Sequence, residues 1–234
     1  MKLHFYGADR CVTGSCHCLE INGKKILVDC GLQQGRDELD NRYLAFAPGN
    51  IDILLVTHAH IDHTGRIPLL VKNGFHGRIL TTRLTADLMK IMLLDSAHIQ
   101  ESDAEYENRK GERAGREHVD PLYTEQDALD VFKYVTTCEY KEKVDLCEGV
   151  SAVFTGAGPL LGSASITLEL EENGVHKTIV FSGDIGNVDQ PIIRDPQLLK
   201  KADYVVMEST YGDRNHTEVW SYTDELAEII DETL

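Results

Sequence analysis

No apolar run in this sequence approaches the roughly 20 residues that a membrane-spanning helix needs. The opening residues, Met1-Lys2-Leu3-His4-Phe5, carry neither a long apolar segment nor a small-residue cleavage site, so they do not read as a secretory signal. A cytoplasmic protein with no membrane partner is the expectation. Paired C-x-x-C spacing is also missing. Six cysteines stand at positions 11, 16, 18, 30, 138 and 147, and without a secretory pattern they are not expected to form a disulfide framework. Cys11, Cys16, His17 and Cys18 raise the idea of a zinc site, but without the paired spacing of structural zinc sites reduced cysteines are the simpler reading. Basic charge is scarce as well. Against 39 acidic residues there are 23 basic ones, for a net charge of −16, which excludes a generic whole-surface binder of nucleic acid. It does not exclude a nuclease in which metal ions carry the positive charge at the site. Internal repeats and low-complexity tracts are absent.

What is present is an ordinary globular composition, 42% apolar, with hairpins and helices mixed along 234 residues. Lys2–Tyr6, Cys16–Ile21 and Lys24–Cys30 read as strands, the last two joined by Asn22-Gly23, a strong two-residue hairpin signal. A second Asn-Gly, at 173–174, joins Ile166–Glu172 to Val175–Ser182. Ile51–Thr57 and Asp203–Glu208 are apolar strands that run directly into polar chemistry. Between them, Asp62–Asn73 reads as one helix, Thr82–Arg109 as a long one, and Glu125–Tyr134 as a third capped by Thr124 with Asp127 in place of the usual capping-box glutamate. Glu101–His118, dense in both charge signs, reads as a solvated face and loop. Sheets covered by helices are the expected architecture.

Residues 57–65 read Thr-His-Ala-His-Ile-Asp-His-Thr-Gly. In an extended segment His58 and His60 point to the same side and can grip one ion together. Where the chain turns into a helix, Asp62 and His63 are adjacent and can face a second. Imidazole nitrogens and carboxylate oxygens suit zinc, and also manganese or iron. Four such residues within six positions at a strand end are hard to explain as packing.

This H-x-H-x-D-H run resembles the metallo-β-lactamase superfamily, and further segments resemble its β-CASP nuclease branch. Gly7–Cys16 is similar to that branch's opening loop. Val28-Asp29-Cys30-Gly31 resembles its first motif, Phe181-Ser182-Gly183-Asp184 its fourth, and Glu208-Ser209-Thr210-Tyr211-Gly212-Asp213-Arg214 the start of the β-CASP domain. Asp95–Glu101 resembles bacterial members. The family includes ribonuclease J, the cleavage and polyadenylation endonucleases and nucleases of the Artemis type. The resemblance implies an α/β fold, a four-layer αββα sandwich over residues 1–208, with the beginning of a truncated β-CASP domain at 209–234. It implies metal-dependent hydrolysis of phosphodiester bonds in RNA or DNA, with RNA or a single-stranded nucleic acid as partner and two divalent ions, zinc first and manganese second. His58, His60, Asp62, His63 and Asp184 would be the ligands, Asp184 bridging. Asp29 would orient the site, Asp62 would also orient the attacking water, and Glu208 would support a distal histidine. Gly162 and Ser163 lie where the third motif approaches the phosphate.

Two departures matter. The third motif has a histidine where this chain has Pro159, in Ala157-Gly158-Pro159, and proline offers no ligand, so metal occupancy is expected to be partial. The chain also stops about twenty residues after the Glu208 motif, where members of the branch continue into a β-CASP lobe, later strands and distal histidines. The chain alone is therefore expected to be inactive, and the apolar stripe Leu226, Ile229, Ile230 and Leu234 on a helix near Glu218–Leu234 is expected to support a homo-oligomer. Two rival readings remain: a catalytically degenerate homologue acting as a scaffold in RNA processing, favoured by Pro159, and a thioesterase or lactonase of the superfamily, disfavoured by residues 208–214.

Overall fold

The structure is a computed structural model that describes residues 1–35, 41–112, 115–188, 194–199, 201–215 and 222–233. Among the described residues eleven strands form two sheets. The first, in spatial order, contains β1 (Lys2–Gly7), β2 (Cys16–Ile21), β3 (Lys24–Val28), β4 (Ile53–Leu55), β5 (Arg78–Thr82) and β6 (Val135–Cys138). The second runs β11 (Tyr204–Val206), β10 (Val175–Phe181), β9 (Ala164–Glu172), β8 (Val150–Gly156) and β7 (Lys143–Cys147). Both Asn-Gly pairs make two-residue turns with the two positive φ angles that such a hairpin requires: 48° and 74° at Asn22-Gly23, 53° and 75° at Asn173-Gly174.

Two apolar layers hold the sheets. Leu19, Ile26, Val28, Leu55 and Leu80 of the first sheet meet Phe154, Ile166, Leu168 and Phe181 of the second, all buried. On the other face of the first sheet, Leu27, Leu54, Val56 and Ile79 pack against helical Leu70, Met89, Leu93 and Ala128. Each of these side chains larger than alanine contributes about 1.5–3 kcal/mol by leaving water. β3 to β6 are mutually parallel, as are β10 and β11, so both sheets present strand carboxyl ends.

The mixed α/β sandwich expected from the sequence is present, as helices on one sheet and that sheet on the other. Among the described residues there is no helical layer on the outer face of the second sheet, where Glu169 and Glu171 are exposed. The segment read as one helix over 62–73 is two: α1 (Ile61–Thr64) and α2 (Ile67–Lys72). Pro68 has no N–H to give to residue 64 and its ring would strike that carbonyl, so the helix restarts with proline in its first turn. The break frees Arg66, whose backbone N–H donates to Cys30 O at 2.9 Å and whose Nε donates to Gly31 O at 2.6 Å. The long helix α3 spans Arg83–Glu112. α4 (Glu125–Asp130) starts on the expected Thr124–Asp127 capping box, with bonds of 3.2 and 2.9 Å. α5 (Tyr222–Thr233) is exposed from Thr223 onward, Leu226, Ile229 and Ile230 included; residues 216–221 and 234 of the helix expected near Glu218–Leu234 lie outside the described residues.

Candidate metal centre

Four strand ends meet at one edge of the sandwich. Asp29 follows β3, the run from Thr57 to His63 follows β4, Asp184 follows β10 and Glu208 follows β11. A ligand site in the crevice beyond strand carboxyl ends is the usual arrangement of open α/β sheets. The two sheets are tied together here: Ala164 N–H donates to Thr57 O at 2.9 Å, and Gly183, at φ 56°, lies so near Thr57 that a Cβ there would crowd the threonine side chain.

The Asp184 carboxylate is the centre of the cluster. Its Oδ2 lies 3.4 Å from His58 Nε2 and 3.7 Å from His60 Nδ1, and these two nitrogens are 2.9 Å apart. Its Oδ1 lies 3.2 Å from His63 Nε2, which is 3.8 Å from Asp62 Oδ2. One carboxylate oxygen thus faces His58 and His60, and the other faces His63 with Asp62 beyond it. Ligand atoms of His58, His63 and Asp184 lie within 4.8 Å of one another. Burial opposes ionisation of Asp184, but the neighbouring imidazoles of His58, His60 and His63 outweigh it and hold the carboxyl far below the usual carboxylate range. Burial pushes His58 toward the neutral imidazole. For His63 burial works the same way, but the charges of Asp29 and Asp184 overcome it and raise the pKa to about 10. Three imidazoles and two carboxylates with free lone pairs fit a divalent cation, and the protons they share in its absence are those a metal would displace.

Asp29 stands behind this cluster rather than in it. At φ 59° the chain turns its carboxylate back under β4. Oδ1 accepts the Thr57 N–H at 2.8 Å, and Oδ2 lies 2.8 Å from His63 Nδ1 and 3.4 Å from Ser15 Oγ. Held that way, His63 presents Nε2 to Asp184. Gly31 is obligatory two residues later, because a Cβ there would overlap the Asp62 carbonyl oxygen. Glu208 braces Asp184 from the neighbouring strand of the same sheet: its Oε1 accepts the Ile185 N–H at 2.6 Å, and its own N–H donates to Ser182 Oγ at 3.2 Å.

Pro159 lines a mouth of the cleft together with Asp62, Asp184 and Glu208. Its loop is held against the turn after β10, where Gly186 N–H donates to Ala157 O at 2.8 Å. Ser163 is placed differently. It is 1% exposed, and its hydroxyl accepts the Leu160 N–H at 3.1 Å, closing its own loop instead of facing the cleft. Gly162 abuts the start of α3, its carbonyl accepting from Thr82 Oγ1 at 2.7 Å. The cysteine group does not gather: Cys16 and Cys18 point into the helix-side core while His17, between them on β2, stacks on Phe181 of the other sheet. Three contributors went unread in the sequence. Ser182 and Arg66 brace the turns around the site, and the Thr57 hydroxyl lies between Asp29 and His58. The sequence signal for Thr57 was its place directly before the first histidine.

The family model for the metallo-beta-lactamase superfamily matches residues 9–231. Ribonuclease TTHA0252 of Thermus thermophilus is 35% identical over all of this chain and 49% of its own length. Transcription termination factor FttA of Methanosarcina mazei is 32% identical over 86% of the chain and 30% of its own length. Endoribonuclease YSH1 of Yarrowia lipolytica is 29% identical over 97% of the chain and 26% of its own length. The chain therefore spans about half the length of these relatives, or less. Among solved structures, a mutant metallo-beta-lactamase of Cronobacter sakazakii shares the fold, with a TM-score of 0.53 and 17% identity over 97% of this chain and 80% of that one.

Proposed function

The chain belongs to the metallo-beta-lactamase superfamily, a family of divalent-metal proteins, and on that premise we propose that it provides the metal centre of a nuclease that hydrolyses phosphodiester bonds in RNA. The observation that carries this reading is the shared Asp184 carboxylate, with His58 and His60 on one oxygen and His63 with Asp62 on the other. His58, His60 and Asp184 would hold one ion, Asp62, His63 and Asp184 a second, with zinc favoured by the imidazole-rich set and manganese compatible with it. Two ions so placed would activate a water and stabilise charge on the phosphate and the leaving oxygen. When a metal displaces the Nε2 proton, Asp29 would keep the remaining His63 proton on Nδ1. Asp62, partly exposed at the cleft mouth, would orient the attacking water. Glu208 holds the turn that aims Asp184. The names of the relatives favour RNA over a small ester, and the segment Glu208–Arg214 is the part of the chain that the β-CASP resemblance adds to the metal motif.

Pro159 supports a second reading, a degenerate scaffold, because it puts a residue without a ligand atom at the cleft mouth. Elemental analysis of the purified chain, with an assay of the whole gene product on labelled single-stranded RNA, separates the two. Bound metal and cleavage that Asp184→Asn abolishes are expected. Metal uptake with intact RNA and a hydrolysed thioester would refute the RNA assignment; absence of both metal and cleavage would establish the scaffold.

A further inference from the structure

We propose that Thr57 is a positioning residue whose hydroxyl fixes the proton of His58 on Nδ1 and thereby turns the His58 Nε2 lone pair toward Asp184. Thr57 is 1% exposed, directly after β4, and its Oγ1 lies 2.9 and 3.1 Å from the two oxygens of Asp29 and 3.0 Å from His58 Nδ1. A hydroxyl has one proton to donate. The Asp29 carboxylate, which already accepts the Thr57 and His63 protons, is the acceptor for it. The lone pairs of Oγ1 then remain for His58, and a bond of 3.0 Å to them requires Nδ1 to carry the hydrogen. In the other tautomer two lone pairs would face each other inside the protein, whereas in this one the Nε2 lone pair can accept from His60 Nδ1, 2.9 Å away and nearer than the Asp184 oxygen at 3.4 Å.

Asp29 thus directs two imidazoles on opposite sides of Asp184. It acts on His63 by direct contact at 2.8 Å and on His58 through the threonine hydroxyl. The arrangement explains why a small hydroxylated residue stands there. The β-branch restricts χ1 and holds Oγ1 in line with both partners, while Gly183 gives the side chain room. The consequence for metal affinity rests on the metal-centre reading above; the tautomer of His58 does not.

The test uses Thr57→Val, which keeps the shape and removes the hydroxyl, and Thr57→Ser, which keeps the hydroxyl. Long-range proton–nitrogen NMR of the metal-free chain above neutral pH should show His58 with Nδ1–H in the wild type and in Thr57→Ser, and a mixture or Nε2–H in Thr57→Val. Calorimetric zinc titration should show a loss of about 10–100-fold in affinity for Thr57→Val, the usual effect of removing a group that orients a ligand, and about wild-type affinity for Thr57→Ser. Should Thr57→Val fail to fold, Thr57→Ala gives the same readout. An Nδ1–H tautomer that persists without the hydroxyl overturns the proposal, as does a serine variant as impaired as valine, which would make the methyl group the cause. A wild type that takes up no zinc refutes the metal centre instead, and the NMR result still decides the role of Thr57.

Discussion

Replacing Asp29 by asparagine tests the electrostatics of the whole cluster. The carboxylate accepts from Thr57 N–H and Oγ1, and Oδ2 sits 2.8 Å from His63 Nδ1. An asparagine oriented to keep the Thr57 N–H on its oxygen turns its NH2 toward Thr57 Oγ1 and His63 Nδ1. His63, which carries protons on both nitrogens at neutral pH in the metal-free chain, can accept that hydrogen only by giving up its Nδ1 proton, and the one that remains then sits on Nε2, the nitrogen a metal needs. Breaking one side of a buried ion pair costs about 3–5 kcal/mol. Asp184, 3.2 Å from Nε2, still shares the charge, so the low end, about 3 kcal/mol, is expected. For a chain of this size that is a fall in Tm of about 6–12 °C at neutral pH in chelator, read by differential scanning fluorimetry. Zinc affinity should fall about 10–100-fold by calorimetry. The pH dependence has a defined sign. In the metal-free wild type burial lowers the His63 pKa, but Asp29 and Asp184 raise it to about 10. A folded pKa above the unfolded value of about 6.5 gives stabilisation that is complete below about pH 6.5 and disappears as pH rises through about 10. The gap in Tm between wild type and Asp29→Asn should therefore close as pH rises toward 10. An unchanged zinc affinity together with a Tm within about 2 °C of wild type at pH 7 would refute the reasoning.

Pro159→His should raise zinc affinity by about 100-fold, because structural zinc sites gain about 10–16 kcal/mol from four ligands, or roughly 3 kcal/mol each, while Pro159→Ala should leave it unchanged; unchanged calorimetry for the histidine variant would mean that the loop does not face the ions. Gly31→Ala should lower both Tm and zinc stoichiometry, since its Cβ would displace the Asp62 carbonyl that precedes His63; a variant with full zinc binding would refute that link. The chain by itself should show little cleavage of single-stranded RNA, its net charge of −16 opposing a polyanion, and robust metal-dependent cleavage in a gel assay would overturn this. Exposed Leu226, Ile229 and Ile230 on α5 should drive self-association at high concentration, lost on changing Ile229 and Ile230 to glutamate; a wild type that sediments as a clean monomer would count against it.

The sequence by itself determined the features whose chemistry is local. His58, His60, Asp62 and His63 fall within six positions, so the strand-then-turn geometry that groups them follows from their spacing. The Asn-Gly hairpins and the Thr124–Asp127 cap were legible for the same reason: the partners are neighbours in the chain. Strands β5 to β8 were not read, because short edge and buried segments such as Lys143–Cys147 carry mixed charge and no bracketing turn signal. The division of 62–73 into two helices was written in Pro68, yet it becomes necessary only when Arg66 must reach the Cys30 and Gly31 carbonyls. Tertiary structure alone decided the rest of the centre. Asp184 comes from the second sheet, and the stacking of two sheets, not spacing, sets which of its oxygens faces which histidines. The same stacking brings Pro159 to the cleft mouth, and the parallel pairing of β3 with β4 sets the Thr57 hydroxyl against Asp29. Such contacts join residues far apart in the chain, and hydrogen-bond geometry of a few tenths of an ångström carries information that residue type and order do not.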